Sequence, residues 1–139
     1  MPTSAYTKVT AANEDLAEAI NCGTDQWAIA LSNTAPSGKT FTAGTTDLPT
    51  GGGYTAGGNN VTTVSSGMNG SDFVLVLADP AVWTGSGSGF TFRYALLVNK
   101  TNNLVLGYWD YGSSQLVAAG ETITVDLDQT ASVGVFKIT

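Results

Sequence analysis

The sequence predicts an all-β domain of antiparallel strands, of the sandwich or barrel kind. Short apolar segments recur at regular spacing between turn residues, over residues 60–65, 72–78, 81–84, 90–98, 104–110, 121–127 and 133–138. No helical pattern separates these segments, which excludes parallel βαβ units. At 139 residues, the chain suits one domain, residues 1–139, with a sizeable core.

The N-terminal part predicts an arm followed by one short helix. Residues 1–10 are expected to form an extended arm or a first strand. Leu16 has helical spacing with its apolar neighbours, and two acidic residues precede it, which favours a helix over residues 13–21. Gly23 follows as a stop signal, and an irregular acidic loop is the alternative.

A strand and a long loop come next. Large and small side chains alternate over residues 27–31, as in a strand with its large residues on one face. Residues 33–60 are rich in Gly, Thr, Ser and Pro, and a loop of this length is usually functional or disordered. Phe41, Leu48 and Tyr54 are apolar anchors that argue against disorder. We expect the loop to lie over a sheet face or a neighbouring subunit.

Two later strands differ in their expected burial. Residues 73–77 are apolar at every position, which predicts a central strand covered on both faces. In contrast, Ile123, Val125 and Leu127 alternate with polar residues. This second pattern predicts a peripheral strand with one wet face.

Residues 90–111 predict a β-hairpin that is apolar on both faces. A five-residue loop would pair Val98 with Leu104, Leu96 with Leu106 and Tyr94 with Tyr108. The face expected in the core comprises Phe90, Phe92, Tyr94, Leu96, Val98, Leu104, Leu106 and Tyr108. The reverse face is half apolar and needs a cover, which a second sheet, a long loop or another subunit would provide.

Arg93 is the one charge within an apolar strand of this hairpin. Opposite Trp109, it is expected either to stack on the indole or to anchor a contact between subunits. The candidate interface set is Phe41, Tyr54, Arg93, Leu97, Val105 and Trp109.

Composition narrows the range of partners. Charged residues make up 12% of the chain and the net charge is −6, so no basic cluster is available for nucleic acid. The longest apolar run is far shorter than a membrane span, and the N-terminus has no secretion-signal pattern, so we expect neither a membrane partner nor export. The single Cys22 excludes an intrachain disulfide and suits a small buried side chain.

Catalytic and metal sites are not expected. The chain has no histidine, which excludes the common nucleophilic triads and most zinc sites. A glycosidase pair of Asp110 with Glu121 or Asp72 is conceivable, but Asp110 also opens a turn. Asp126 and Asp128 share a strand face that either binds calcium or is simply solvated. We therefore expect no enzyme activity, no cofactor and no metal.

Five segments resemble small structural proteins of tailed bacteriophages. These are residues 51–58 (GGGYTAGG), 78–84 (ADPAVWT), 92–97 (FRYALL), 106–113 (LGYWDYGS) and 119–126 (AGETITVD). Within that group, the chain looks most similar to capsid cement or decoration proteins, which bind the outside of assembled capsids. The resemblance implies a jelly-roll-like antiparallel β-sandwich.

The expected function is therefore structural. The resemblance implies a virion protein, made in the host cytoplasm, that clamps major capsid subunits together as a homo-oligomer, a dimer or trimer. One alternative is a neck or tail component of the virion. Another is a carbohydrate-binding module with an exposed platform of Trp83, Tyr108, Trp109 and Tyr111.

Overall fold

The computed structural model describes residues 5–139, in which one antiparallel strand precedes a single helix and nine follow it. The elements are β1 (Thr7–Lys8), α1 (Ala12–Glu18), β2 (Trp27–Ser32), β3 (Asn59–Val61), β4 (Thr63–Asn69), β5 (Asp72–Leu77), β6 (Trp83–Thr84), β7 (Phe90–Asn99), β8 (Leu104–Val117), β9 (Thr122–Ile123) and β10 (Phe136–Ile138). The predicted arm over residues 1–10 lies partly outside the described residues, and its remainder contains β1. The predicted mostly-β class with one short helix is confirmed.

The strands form three antiparallel sheets. The largest has the order β1-β8-β7-β2-β3, the second has the order β10-β5-β4, and β6 pairs with β9. Strand β5 lies at the centre of the second sheet, as its uniformly apolar sequence predicts. Most of the paired strands are distant in sequence, and the three sheets share a buried apolar core that stabilises their association.

The helix is shorter than predicted. It spans Ala12–Glu18 rather than residues 13–21, because the backbone N–H groups of Ala19 and Ile20 both bond to the carbonyl of Asp15. Because one carbonyl accepts both N–H groups, the regular i to i−4 hydrogen bonding of the helix ends before Gly23. Ala12 is buried, so the short helix is attached to the sheets by packing.

The hairpin of β7 and β8 has a different register from the predicted one. Asn99 pairs with Leu104, and Leu96 pairs with Tyr108 instead of Leu106. The register shifts once between Leu97 and Val98 and again between Phe92 and Tyr94. Such irregularities insert unpaired residues into one strand, which a strict two-residue alternation cannot anticipate.

These shifts redistribute the side chains between the two faces of the hairpin. Phe90 and Phe92 lie in the main core as predicted, but Tyr94, Leu96 and Tyr108 belong to a smaller cluster on the opposite face. Leu106 lies in the main core and Leu104 packs against it, as predicted, whereas Leu97 and Trp109 of the predicted reverse face also lie there. The predicted common face is therefore right for Phe90, Phe92, Leu104 and Leu106. It is wrong for Tyr94, Leu96, Val98 and Tyr108, because each shift inverts the side-chain alternation.

The main core joins the sheets. It draws Trp27 from the five-stranded sheet, Leu75 from the three-stranded sheet and Trp83 from the two-stranded sheet. The rings of Trp27 and Phe136 meet edge to face, with centroids 6.2 Å apart, across two of these sheets. The predicted alternation near the C-terminus also holds, since Val125 and Leu127 are buried beside exposed polar neighbours.

Candidate interaction surface

The reverse face of the hairpin is covered in part by the chain itself. Its buried cluster comprises Val9, Ala28, Ala30, Phe41, Leu96, Val98 and Val105. Phe41 belongs to residues 33–58, which run between β2 and β3. The cover that the hairpin requires therefore comes from this segment over one part of the face.

A buried carboxylate holds the covering segment in place. Asp47 accepts hydrogen bonds from the backbone N–H groups of Gly44 (2.6 Å) and Gly57 (2.7 Å) and from the hydroxyl of Tyr54 (2.5 Å). The Tyr54 hydroxyl in turn accepts the N–H of Leu31 in β2, at 3.0 Å. Burial raises the pKa of Tyr54 well above its usual value. The segment is thus bonded both to itself and to the sheet beneath it.

The same segment also pairs with the hairpin. The backbone N–H of Phe41 donates to the carbonyl of Asn103 (2.8 Å), and that of Val105 donates to the carbonyl of Lys39 (2.7 Å). The Lys100 ammonium lies 5.6 Å from the centroid of the Phe41 ring. These contacts fix Phe41 over the turn end of the hairpin.

Further along the hairpin, four side chains remain half-buried, and we call them the hairpin patch: Arg93, Tyr94, Tyr108 and Asp110. Arg93 makes a two-point ion pair with Asp110, with Nε to Oδ1 at 2.8 Å and Nη2 to Oδ2 at 3.1 Å. The guanidinium lies 5.3 Å from the centroid of the Tyr94 ring, and that ring meets Tyr108 edge to face at 5.8 Å. The patch is a connected arrangement on two paired strands.

Mutual interaction favours the charged forms of both Arg93 and Asp110 in the hairpin patch. The hydrogen bond from Arg93 and, next, the backbone N–H of Gly112 lower the pKa of Asp110. The same hydrogen bond and the charge of Asp110 raise the pKa of Arg93. Arginine and tyrosine are among the residue types enriched at the energetic centre of protein interfaces.

The structure separates the six predicted interface residues. Arg93 keeps 40% of its side chain exposed. The other five are buried within the chain, namely Phe41, Tyr54, Leu97, Val105 and Trp109. Their interface role stays a prediction, but they have little surface to offer a partner in this conformation.

The predicted stacking of Arg93 on Trp109 is wrong. The shifted register pairs Trp109 with Ala95 and turns its indole into the main core, while Arg93 lies over Tyr94. The predicted hairpin faces placed Tyr94 and Tyr108 in the core, whereas both are half-buried at the surface, and only the sugar-binding alternative had expected Tyr108 there. One feature of the sequence indicates the ion pair between Arg93 and Asp110, namely that two opposite charges lie on facing strands of one hairpin.

The aromatic platform proposed for sugar binding is largely internal. Trp83, Trp109 and Tyr111 are buried, and only Tyr108 of the four is half-buried. A sugar ring stacks on an exposed aromatic face, so this conformation presents no such platform at those positions.

The candidate catalytic carboxylates each have a local structural partner. Glu121 accepts the N–H of Ala118 at 3.0 Å, and Asp72 lies 3.6 Å from the ammonium of Lys137. Asp110 is paired with Arg93 and also accepts the N–H of Gly112, as a turn residue does.

The described residues contain neither a cluster of metal ligands nor an activated thiol. Asp128 accepts the N–H of Thr130 at 2.8 Å, and residues 5–139 contain no group of three acidic or cysteine side chains placed to hold a metal. Cys22 packs partly buried against the main core, and burial raises its pKa to about 11. The thiol is therefore protonated at neutral pH.

Within residues 5–139, no helix has the length and apolar character needed to cross a membrane. No protein-family model, curated protein or solved structure matches this chain.

Proposed function

We propose that this chain is a structural protein of a tailed-phage virion that binds the outside of the assembled capsid. In this role it is a cement or decoration protein, contacts major capsid subunits and acts as a symmetric homo-oligomer, a dimer or trimer. Its antiparallel sheets form a jelly-roll-like sandwich under the same proposal, with residues 33–60 as its long Gly/Thr-rich loop.

The hairpin patch is the observation that carries the proposal. It presents one arginine and two tyrosines on a paired strand framework, in a chain with only 12% charged residues. A weakly charged surface around such anchors suits a contact that persists over a range of salt concentrations. The sequence resemblance supplies the class of partner.

The energetic reason for such a protein is linkage. A protein that binds the assembled lattice but not free subunits adds its binding free energy to the stability of the lattice. Contacts made twice or three times by a symmetric oligomer strengthen this effect through a high effective concentration. Cementing therefore needs no catalysis, only a surface complementary to neighbouring subunits.

A sedimentation assay tests this function. Purified chain is mixed with assembled shells of the major capsid protein and, separately, with its free subunits, and the bound fraction is measured after centrifugation. We expect saturable binding to shells alone, and binding about tenfold weaker or more for Arg93→Ala, since this residue type dominates interface energetics. Equal binding to shells and free subunits contradicts the lattice-specific role.

Ser114→Ala is the matched control for this assay. Ser114 is exposed on β8, the other strand of the same hairpin, outside the hairpin patch. We expect it to bind as the unmodified chain does, and melting curves of both variants report whether each remains folded. If Arg93→Ala and Ser114→Ala bind equally well with the fold intact, the hairpin patch is not the contact surface.

A further inference from the structure

A groove of about 770 Å³ opens between helix α1 and the C-terminal strand β10. Asn13, Leu16 and Ala17 of the helix line one side, and residues 133–139 line the other. Tyr6, Lys8 and Leu106 complete the lining. The groove lies away from the hairpin patch, none of whose four residues lines it.

The wall formed by β10 is an open sheet edge. Within residues 5–139, β10 is the outer strand of the three-stranded sheet and pairs on one side with β5. The unpaired side of an edge strand offers backbone donors and acceptors to another extended chain. Two apolar side chains of this wall are also exposed, Val133 at 45% and Ile138 at 47%. Edge and apolar surface together favour an extended polypeptide over a compact ligand.

The charge of the lining identifies the chemistry of that polypeptide. The chain carries eleven acidic and five basic residues, yet the lining contains Lys8 and Lys137 and no acidic residue. Lys8 donates to the side chain of Asn13 at 2.6 Å, and Lys137 lies 3.6 Å from Asp72. Asp72 balances the charge of Lys137 in part, and the ammonium of Lys8 adds a positive charge, which favours a ligand that carries carboxylates.

We propose that this groove binds an extended segment of a partner protein in which apolar residues alternate with acidic ones. The segment adds to the outer edge of β10, directs its apolar side chains toward Leu16 and Phe136, and places its carboxylates near Lys8 and Lys137. Strand β10 spans three residues, Phe136–Ile138, so its edge pairs with about three extended residues of ligand, at about 3.3 Å each. The rest of the segment contacts the flanking residues 133–135 and 139 of the wall. This inference does not depend on the proposed virion role.

A synthetic peptide provides the probe, an acetylated and amidated octapeptide of four Glu-Val repeats, with four Lys-Val repeats as the comparison. Fluorescence anisotropy gives the affinity, and amide shifts in NMR spectra locate the binding. We expect saturable binding of the acidic peptide alone, with shifts concentrated in β10 and α1. Equal binding of the two peptides, or no saturable binding of the acidic one up to about 1 mM, overturns the proposal.

Two variants locate the binding site independently. Ala17→Trp fills the groove from the exposed side of the helix, and we expect it to abolish binding while the spectrum stays dispersed. Lys8→Gln combined with Lys137→Gln is expected to weaken binding about fivefold, as two partly exposed ion pairs predict. Unchanged affinity in either variant overturns the assignment.

A charge-matched control and a test of self-association complete the design. Ser88→Glu combined with Ser114→Glu changes the net charge by the same amount at exposed positions outside the groove, and should leave the affinity unchanged. If this control variant loses as much affinity for the acidic peptide as the lysine variant does, the lysine effect is one of net charge alone, and the assignment of the groove as the binding site is overturned. Light scattering that shows self-association blocked by Ala17→Trp would identify the occupant as a second copy and overturn the choice of a partner segment.

Discussion

Substitution of Tyr54 tests whether its hydrogen bond to Asp47 holds residues 33–58 over the hairpin. Tyr54→Phe removes one hydroxyl that donates to Asp47 and accepts from the backbone N–H of Leu31. Tyr54 is 1% exposed and Asp47 is 4% exposed, so water cannot readily replace either bond. The buried N–H of Leu31 loses its side-chain acceptor, which costs about 1–3 kcal/mol, and Asp47 loses one of its three donors while it keeps Gly44 and Gly57. Together these predict a loss of about 3 kcal/mol.

This loss converts to a measurable change in melting temperature. At about 2.1 cal/mol/K per residue, a chain of 139 residues unfolds with an entropy of roughly 0.3 kcal/mol/K. A loss of 3 kcal/mol then lowers Tm by about 10 °C, which differential scanning calorimetry at pH 7 resolves easily.

Tyr111→Phe is the matched control for Tyr54→Phe. The Tyr111 hydroxyl is also buried, but it has no hydrogen-bond partner in the described part of the chain. Removing it eliminates an unsatisfied polar group, so we expect a Tm that is unchanged or slightly higher. If the two variants shift Tm within about 2 °C of each other, the hydroxyl of Tyr54 does not hold the segment, and the reasoning is refuted.

Three further predictions concern packing, pH and the thiol. Gly107→Ala places a methyl group against the ring of Tyr6 and should cost about 1–3 kcal/mol in urea unfolding, so an unchanged midpoint would contradict that close contact. Because the pKa of Asp110 is lowered in the folded chain, its pair with Arg93 should contribute stability above the unfolded pKa near 3.8 and lose it as the pH falls through the folded value. The stability difference from Asp110→Asn should therefore shrink in acid, and a difference that grows there would be inconsistent. Cys22 should react slowly with iodoacetamide at pH 8 and faster toward pH 11, whereas rapid alkylation at pH 7 would contradict its raised pKa.

Patterns within single strands made much of the fold predictable. The uniformly apolar residues 73–77 indicated the centre of a sheet, and β5 lies there. The alternation that includes Val125 and Leu127 indicated which side chains are buried, although only Thr122–Ile123 pairs as strand β9. These features depend on local alternation, which the sequence displays directly.

The hairpin faces were not predictable from alternation alone. Two register shifts move Leu97 and Trp109 into the main core and bring Tyr94 and Tyr108 to the other face. A bulge is decided by packing against distant strands, so a pattern of one strand carries little information about it.

The candidate surface was predictable only in part, for the same reason. Arg93 was identified as a charge in an apolar strand, but its partners depend on the register, which joins it to Asp110 and Tyr94. The bond between Asp47 and Tyr54 is likewise set by how the segment folds back on itself. Contacts of this kind follow from the tertiary arrangement of the chain.

Cryo-electron microscopy of the native phage particle that carries this chain tests the central proposal most directly. We expect density for the chain on the capsid exterior, at symmetry-related sites that bridge neighbouring major capsid subunits, with the hairpin patch at the contact. A particle whose capsid exterior lacks this chain, with its density confined to the neck, the tail or the interior, would contradict the proposal.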